Sequence, residues 1–345
     1  MNLTFSLLVV AVLIAVALVG GGVLNWGLVF GVVIPYAAIV IFLLGIIYRV
    51  VRWARSPVPF RIPTTCGQQQ SLPWIKSNNL ESPHNFWGVL GRMALEILFF
   101  RSLFRNTKME LRSGPRLVYG AEKLLWLGGL AFHWSFLIIL IRHFKYFAEP
   151  VPWWVLGIQN LDGFFQVGLP IIYATDAVIL AALTYLFVRR VVSPQLRYIS
   201  MAGDYFPLLL LLGIVVSGIL MRYFIKVDIT SVKELGVGLL SLNPTVPEGL
   251  SALFLLHLFL VSALLAYFPF SKLVHMAGVF LSPTRNLVNN SRLKRHVNPW
   301  NYPVEVHTYE EWEDEFREVM KAAGMPLEKV ENVDTAAKAE KVEKE

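Results

Sequence analysis

Four of the seven histidines lie inside apolar, membrane-length segments: His133 and His143 in one, His257 and His275 in another. An ionisable ring at that depth is costly and is usually functional. Neutral imidazole is a common metal ligand, and haem iron accepts axial ligands of this kind. Two histidine pairs on two separated helices therefore suit the clamping of two haems between those helices. A single intramembrane histidine is explained as well by a hydrogen bond to a neighbouring helix. Four, with two on each of two helices, are harder to explain that way.

Spacing sharpens the reading. His133 and His143 are ten residues apart, about 2.8 helical turns and about 15 Å of rise. His257 and His275 are eighteen residues apart, five full turns, and share one helix face about 27 Å apart along the axis. On antiparallel helices the depths match as His133 with His275 and His143 with His257. The unequal separations then require tilted helices or uneven placement of the two haems.

These histidines sit in a chain of 345 residues that is 55% hydrophobic and only 16% charged, with a mean hydropathy of +0.55. A soluble domain carries about 25% charged residues. Long apolar runs, rather than alternating ten-residue strands, predict an all-α integral membrane bundle. Six transmembrane helices can be drawn, at 3–22, 27–48, 118–144, 168–188, 205–224 and 249–280. The apolar N-terminus lacks a basic leader region and reads as a retained helix. Arg49, Arg52, Arg55 and Arg61 follow the second span; Arg101, Arg105, Lys108, Arg112 and Arg116 precede the third. Arg189, Arg190 and Arg197 follow the fourth; Arg285, Arg292, Lys294 and Arg295 follow the sixth. All four clusters fall on one side of a six-span chain, so the positive-inside rule makes that side, and both termini, cytoplasmic. The expected location is a prokaryotic cell membrane. The expected organisation is two N-terminal helices (1–49), a cytoplasmic or interfacial insertion with an amphipathic helix (50–116), a four-helix core (117–281) and a polar cytoplasmic tail (282–345). Within the tail, residues 308–323 read as a short acidic helix capped by Thr308.

Other residues carry weaker signals. Arg142 and Lys145 flank His143, and Lys272 precedes His275 by a turn. They are candidates to meet haem propionates or a quinone, with Asp162 nearby. Snorkelling to the interface explains the cations equally well. Gly128, Gly129 and Gly278 would allow close approach of a macrocycle or of another helix. Asp176 is costly in an apolar span and reads equally as a proton or quinol group and as a tie to a neighbouring helix. Asp204 and Glu122, near the cytoplasmic boundary, need less explanation. His84, His296 and His307 lie in polar segments and read as surface residues. Cys66, the one cysteine, reads as an unreactive residue or one facing a redox partner. It rules out a disulfide or a thiolate-held cluster within the chain, so iron–sulfur chemistry must sit in a partner. No P-loop, dinucleotide fingerprint or nucleophile–base arrangement is present, so the chain makes no bonds alone and no nucleic-acid partner is expected. The rival reading, a non-haem proton- or metal-coupled transporter with a histidine–aspartate relay, calls for repeat symmetry or centrally broken helices. The sequence shows no internal repeat.

The pattern FHWSFLIILIRHF with LLHLFL and KLVHM resembles the dihaem cytochrome b of the nitrate reductase gamma-subunit family, over roughly 115–280. The resemblance implies His133 and His275 as axial ligands of one haem b, and His143 and His257 of the other. TTCGQQQSLPWIKSNNLESPHNFWGVLGRM and LFRNTKMEL are similar to the branch found in sulfite-reduction-associated (Dsr), heterodisulfide-reductase-like complexes. That branch implies electron exchange between menaquinone and a cytoplasmic iron–sulfur subunit, in dissimilatory sulfate or sulfite respiration. It also implies a multihaem cytochrome c, a ferredoxin-like subunit, a second membrane subunit and a small sulfur-carrier protein as acceptor.

Overall fold

The computed structural model describes residues 2–58, 67–114, 116–163, 171–294 and 306–328. The chain divides into two compact units, 1–295 and 296–345.

The first unit opens with α1 (Asn2–Ala17), prolonged by a wide turn to Val23, and α2 (Ile34–Ala54), entered through a similar turn from Val29. Next come α3 (Phe86–Phe99), the single turn α4 (Arg101–Phe104), and a hairpin of β1 (Thr107–Arg112) and β2 (Arg116–Ala121). Then follow α5 (Lys123–His143), α6 (Trp153–Asp162), α7 (Ala174–Val192), α8 (Pro194–Ile199) and α9 (Ala202–Ile219). The unit ends with α10 (Ile229–Leu240), α11 (Ala252–Tyr267), α12 (His275–Leu281) and α13 (Pro283–Asn286).

Among the described residues, five helical stretches are long and apolar enough to cross a bilayer: Asn2–Val23, Val29–Ala54, Lys123–Tyr146, Ala202–Phe224 and Ala252–Phe270. The expected fourth span corresponds to α7, which carries Asp176 at its start and Arg189 and Arg190 at its end. Those three charges keep it outside the five. Residues 168–170, where that span was expected to begin, lie outside the described residues.

Apolar packing between helices forms the core of the bundle. Val10, Ala17, Phe30, Leu210, Leu255, Leu256 and Leu260 form one buried cluster joining α1, α2's approach, α9 and α11. Ile179, Leu183 and Leu211 form a second, with Phe132 and Ile139 of α5 packed against it. Outward-facing side chains such as Phe5, Leu8, Val40 and Leu44 are exposed, as lipid contact requires.

Two expected spans differ from the structure. The third begins at Lys123 rather than 118, because Leu117, Val118 and Tyr119 pair in the hairpin with Leu111, Glu110 and Met109. These residues favour a half-exposed strand once a partner strand is present. The sixth is not one helix to residue 280. It stops at Tyr267, passes through a tight turn at Phe268–Phe270, and restarts at His275. Pro269 cannot donate a helical hydrogen bond, and the Ser271 hydroxyl accepts from Leu273 N at 3.1 Å. The break is clamped by α2: Arg49 Nε donates to the Pro269 carbonyl at 2.8 Å. A Cβ on Gly45 would lie 2.6 Å from Pro269, so only glycine allows this approach.

In the second unit, α14 (Tyr309–Ala322) starts on a capping box. Glu311 N donates to the Thr308 hydroxyl at 3.3 Å, and Thr308 N donates to the Glu311 carboxylate at 2.8 Å, as the sequence predicts. The low-complexity end, 333–345, lies outside the described residues.

Candidate functional site

The fold brings the four histidines together as two pairs. The rings of His133 and His275 lie 6.0 Å apart, crossed at 77°. Those of His143 and His257 lie 6.4 Å apart and nearly parallel, at 13°. The spacing mismatch vanishes because α11 ends before His275. The break at Pro269 replaces the five continuous turns that the sequence suggested.

Each ring is oriented by its Nδ1. His133 Nδ1 donates to the Gly129 carbonyl at 2.7 Å, and His143 Nδ1 to Ile139 at 2.7 Å. His275 Nδ1 donates to the Lys272 carbonyl at 2.9 Å. A carbonyl can only accept, so these three rings carry the proton on Nδ1. His257 Nδ1 is 2.9 Å from the Ser217 hydroxyl of α9, which itself donates to Ile214 O at 2.9 Å. Ser217 therefore accepts from His257 as well. A ring that donates through Nδ1 has, in its neutral form, its lone pair on Nε2.

That arrangement fits a haem iron. A metal–imidazole bond is about 2 Å. Two such bonds in line, with about 1.2 Å from each nitrogen to its ring centre, separate the centres by about 6.4 Å. The observed separations are 6.0 and 6.4 Å. Among the described residues no group of three or more His, Cys, Asp or Glu forms, so each site offers two protein ligands. Haem supplies the remaining four itself. His133 and His275 are exposed, and His143 and His257 half-buried, which leaves ring surface that a bound macrocycle would cover.

A polar cluster lies beside the His143 pair. The buried Arg142 guanidinium pairs with Asp162 and, at 3.3 Å, with Asp176. It also stacks 3.6 Å from the centre of the Tyr173 ring. Asp162 accepts from Thr175 N at 2.9 Å and from its hydroxyl at 2.6 Å. Tyr223 donates to Asp176 at 2.7 Å. Asp176 is thus tied to neighbouring helices, and Arg142 is committed to two carboxylates. Arg142 Nε and Arg222 Nε are buried with no hydrogen-bond partner among the described residues. Lys145 donates to Gln159 at 3.0 Å. At the other end Lys272 pairs with Asp204 at 2.7 Å. Gly128 packs against Tyr185 of α7, Gly129 faces Leu103 and Gly278 faces Trp53, so all three serve contacts between protein elements. Cys66 and His296 lie outside the described residues.

The His133 pair has a cap that the sequence did not reveal. The stretch 86–105 is no single amphipathic helix. It bends at Phe100, whose φ of 51° and ψ of 49° are left-handed. That conformation costs an L-residue about 1–2 kcal/mol. The bend is held to α5 by two indoles: Trp126 Nε1 donates to the Phe99 carbonyl at 2.7 Å, and Trp134 Nε1 to Leu98 at 3.0 Å. These carbonyls end α3 and have no helical partner of their own. The Phe100 ring then meets His133 edge-on, 4.9 Å away. On the other flank Glu96 pairs with Arg285 of α13 at 2.5 Å and accepts from the Ser102 hydroxyl at 2.7 Å. The cap therefore touches α5, which carries His133, and α13, which follows the helix of His275. Ser217, Phe100, Trp126, Trp134, Arg222 and Tyr223 are the site residues that sequence reasoning missed. Of these, only Ser217 stands out as a hydroxyl in an apolar run.

Fold and paired rings together define a class, an all-α membrane bundle carrying two histidine pairs. The chain belongs to the nitrate reductase gamma-subunit family, whose match spans residues 84–295. It contains all four histidines and begins well before residue 115, so α3, α4 and the hairpin are part of the family region. The chain is 46% identical over 287 residues to the Hdr-like menaquinol oxidoreductase cytochrome b-like subunit of Archaeoglobus fulgidus, covering 81% of this chain and 85% of that protein. It is 42% identical over 276 residues to the protein of the same description from Archaeoglobus profundus, covering 78% and 81%.

Two expectations follow. Asp162→Ala leaves Arg142 short of its main counter-charge in a buried site. A loss of about 3–5 kcal/mol is expected, read as a lower unfolding temperature in detergent; an unchanged temperature contradicts the buried-pair account. The second concerns Glu96. Burial alone raises its carboxyl pKa, but the Ser102 and Arg285 contacts outweigh this and hold it below its usual 4.5. A depressed folded pKa stabilises the cap above the unfolded value, and that contribution is lost as pH falls through the folded value. Hydrogen exchange over 86–105, taken relative to the intrinsic rate at each pH, should therefore rise on acidification through the depressed folded value. It should be raised already at neutral pH in Glu96→Gln. Equal exchange in both proteins at every pH would remove Glu96 from the cap.

Proposed function

We propose that the chain is a membrane dihaem cytochrome b subunit that relays electrons between menaquinone and a cytoplasmic iron–sulfur partner. The observation that carries this reading is the closure of four histidines, three of them in membrane-length helices, into two pairs 6.0 and 6.4 Å apart, with the contacts of every ring made through Nδ1 among the described residues. His133 and His275 would hold the inner haem b, and His143 and His257 the outer one. Bound haem supplies reversible one-electron chemistry. The protein's own part is to fix four imidazoles at two depths, so that the relay spans the bilayer. Six spans are proposed, with α7 as the fourth and both termini cytoplasmic, from the four clusters of Arg and Lys.

Menaquinone is proposed to react near the outer pair, where quinol oxidation releases protons as well as electrons. Arg142, Lys145 and Asp162 stand at that end. The unpartnered Nε atoms of Arg142 and Arg222 are buried donors suited to a quinone oxygen or a haem propionate. Lys272, at the other end, is proposed to meet an inner propionate from its exposed position beside Asp204. The names of the two Archaeoglobus relatives support a quinol-linked role within an Hdr-like complex. The single cysteine supports placing the iron–sulfur chemistry on a separate subunit. A multihaem cytochrome c, a ferredoxin-like subunit and a second membrane subunit complete the proposed complex. Its proposed setting is dissimilatory sulfate or sulfite respiration.

The pairing is tested by single substitutions in the purified chain. His143→Ala and His257→Ala should each remove one haem, and the same one, as judged by reduced-minus-oxidised spectra and potentiometric titration. His133→Ala and His275→Ala should remove the other. Loss of different haems from two members of one pair refutes the assignment.

A further inference from the structure

We propose that Phe100 is a positioning residue that holds the inner histidine pair crossed, making the two haem sites electronically unlike. The inference rests on the dihaem reading above and adds a role for a residue outside the ligand set.

The α5 members of the two pairs share one anchoring device and differ in their neighbours. His133 and His143 both sit on α5, and each donates Nδ1 to the carbonyl four residues before it, at 2.7 Å. That shared anchor does not explain why one pair is crossed at 77° and the other lies within 13° of parallel. Their partners are anchored differently, His257 on Ser217 and His275 on Lys272, and the two α5 rings differ in their aromatic surround. The His133 ring is met edge-on by Phe132 at 4.9 Å and 76°, and by Phe100 at 4.9 Å and 84°. His143 has Tyr146 near it, at the longer distance of 5.8 Å. Phe132 comes from α5 itself, so it moves with the helix. Phe100 comes from a separate element and fixes the ring against an outside reference.

Phe100 is also held at some expense of backbone freedom. An aromatic residue in the left-handed region persists where its surroundings determine it, and such positions cluster at functional sites. Here the surroundings are explicit. Trp126 and Trp134 grip the two residues before it, and Phe104 N donates to the Phe100 carbonyl at 2.9 Å. Both indoles belong to α5, the helix that carries His133. The elbow is thereby registered to the ligand it touches. His275 is set independently through Lys272, so Phe100 governs the His133 share of the crossing angle.

Crossed and parallel axial imidazoles give low-spin ferric haems different paramagnetic signatures. Crossed planes give one strongly anisotropic low-field feature; parallel planes give a resolved rhombic pattern. The orientation also tunes the potential, since packing around an axial ligand is one of the protein's controls. The test uses the oxidised full-length protein in detergent. Wild type should show both patterns, one for each haem. Phe100→Leu keeps bulk without the ring and should move the crossed feature toward the rhombic pattern. It should shift the inner midpoint potential as well and leave the outer haem unchanged. Phe100→Tyr keeps the ring and should retain both wild-type signals. If Phe100→Leu sheds the inner haem, Phe100→Met, which is more adaptable, carries the same comparison. An unaltered inner signal with both haems bound, or a Tyr variant shifted as far as Leu, overturns the proposal. So does a wild type with two rhombic signals. A wild type without b-type bands refutes the dihaem reading instead.

Discussion

The structure turns on one constraint: an imidazole in an apolar span must have both of its nitrogens accounted for. The chain solves half of this with its own backbone. Three rings give Nδ1–H to a carbonyl of their own segment, and His257 gives it to Ser217 of α9. The other half cannot be solved locally, because Nε2 then carries a lone pair that needs an electrophile. The two pairs stand at about the span of two metal–nitrogen bonds, so a metal held within each pair would answer that need.

Much of the surrounding fold serves to deliver those pairs. A straight α11 would have carried His275 past His133. Pro269 ends it, and α2 fixes the break through Gly45 and Arg49. The break lies at the end of a membrane-length stretch, Ala252–Phe270, and not at its centre, unlike the broken helices of a transporter. At the opposite end the Arg142–Asp162–Asp176 cluster ties α5, α6 and α7 together beside His143. The two ends are built from different materials. One is an aromatic and backbone cap, and the other is a buried charge network.

The histidines were legible in the sequence because cost makes them conspicuous: a titratable ring in an apolar run announces itself without any knowledge of the fold. Their pairing followed from chain direction alone. The means of pairing was less legible. FPFSK contains the proline that ends α11, yet the apolar run continues beyond it and reads as one helix. Leu117, Val118 and Tyr119 look like the start of a span until their partners six to ten residues earlier, Leu111, Glu110 and Met109, are found. Phe100 gives no local sign of a left-handed bend, since glycine or asparagine is the usual occupant of that conformation. Its place is set by Trp126 and Trp134, and such tertiary determination leaves no periodic trace. Arg142 and Asp162 were visible as charges, but their mutual commitment was not.

The central claim is that four imidazoles hold two haems within this one chain. The most direct measurement is the ratio of b-type haem to protein in the purified full-length chain, taken with its reduced-minus-oxidised spectrum. Two haems b per chain, both reducible, are expected. A well-loaded preparation with one haem or none would contradict the account.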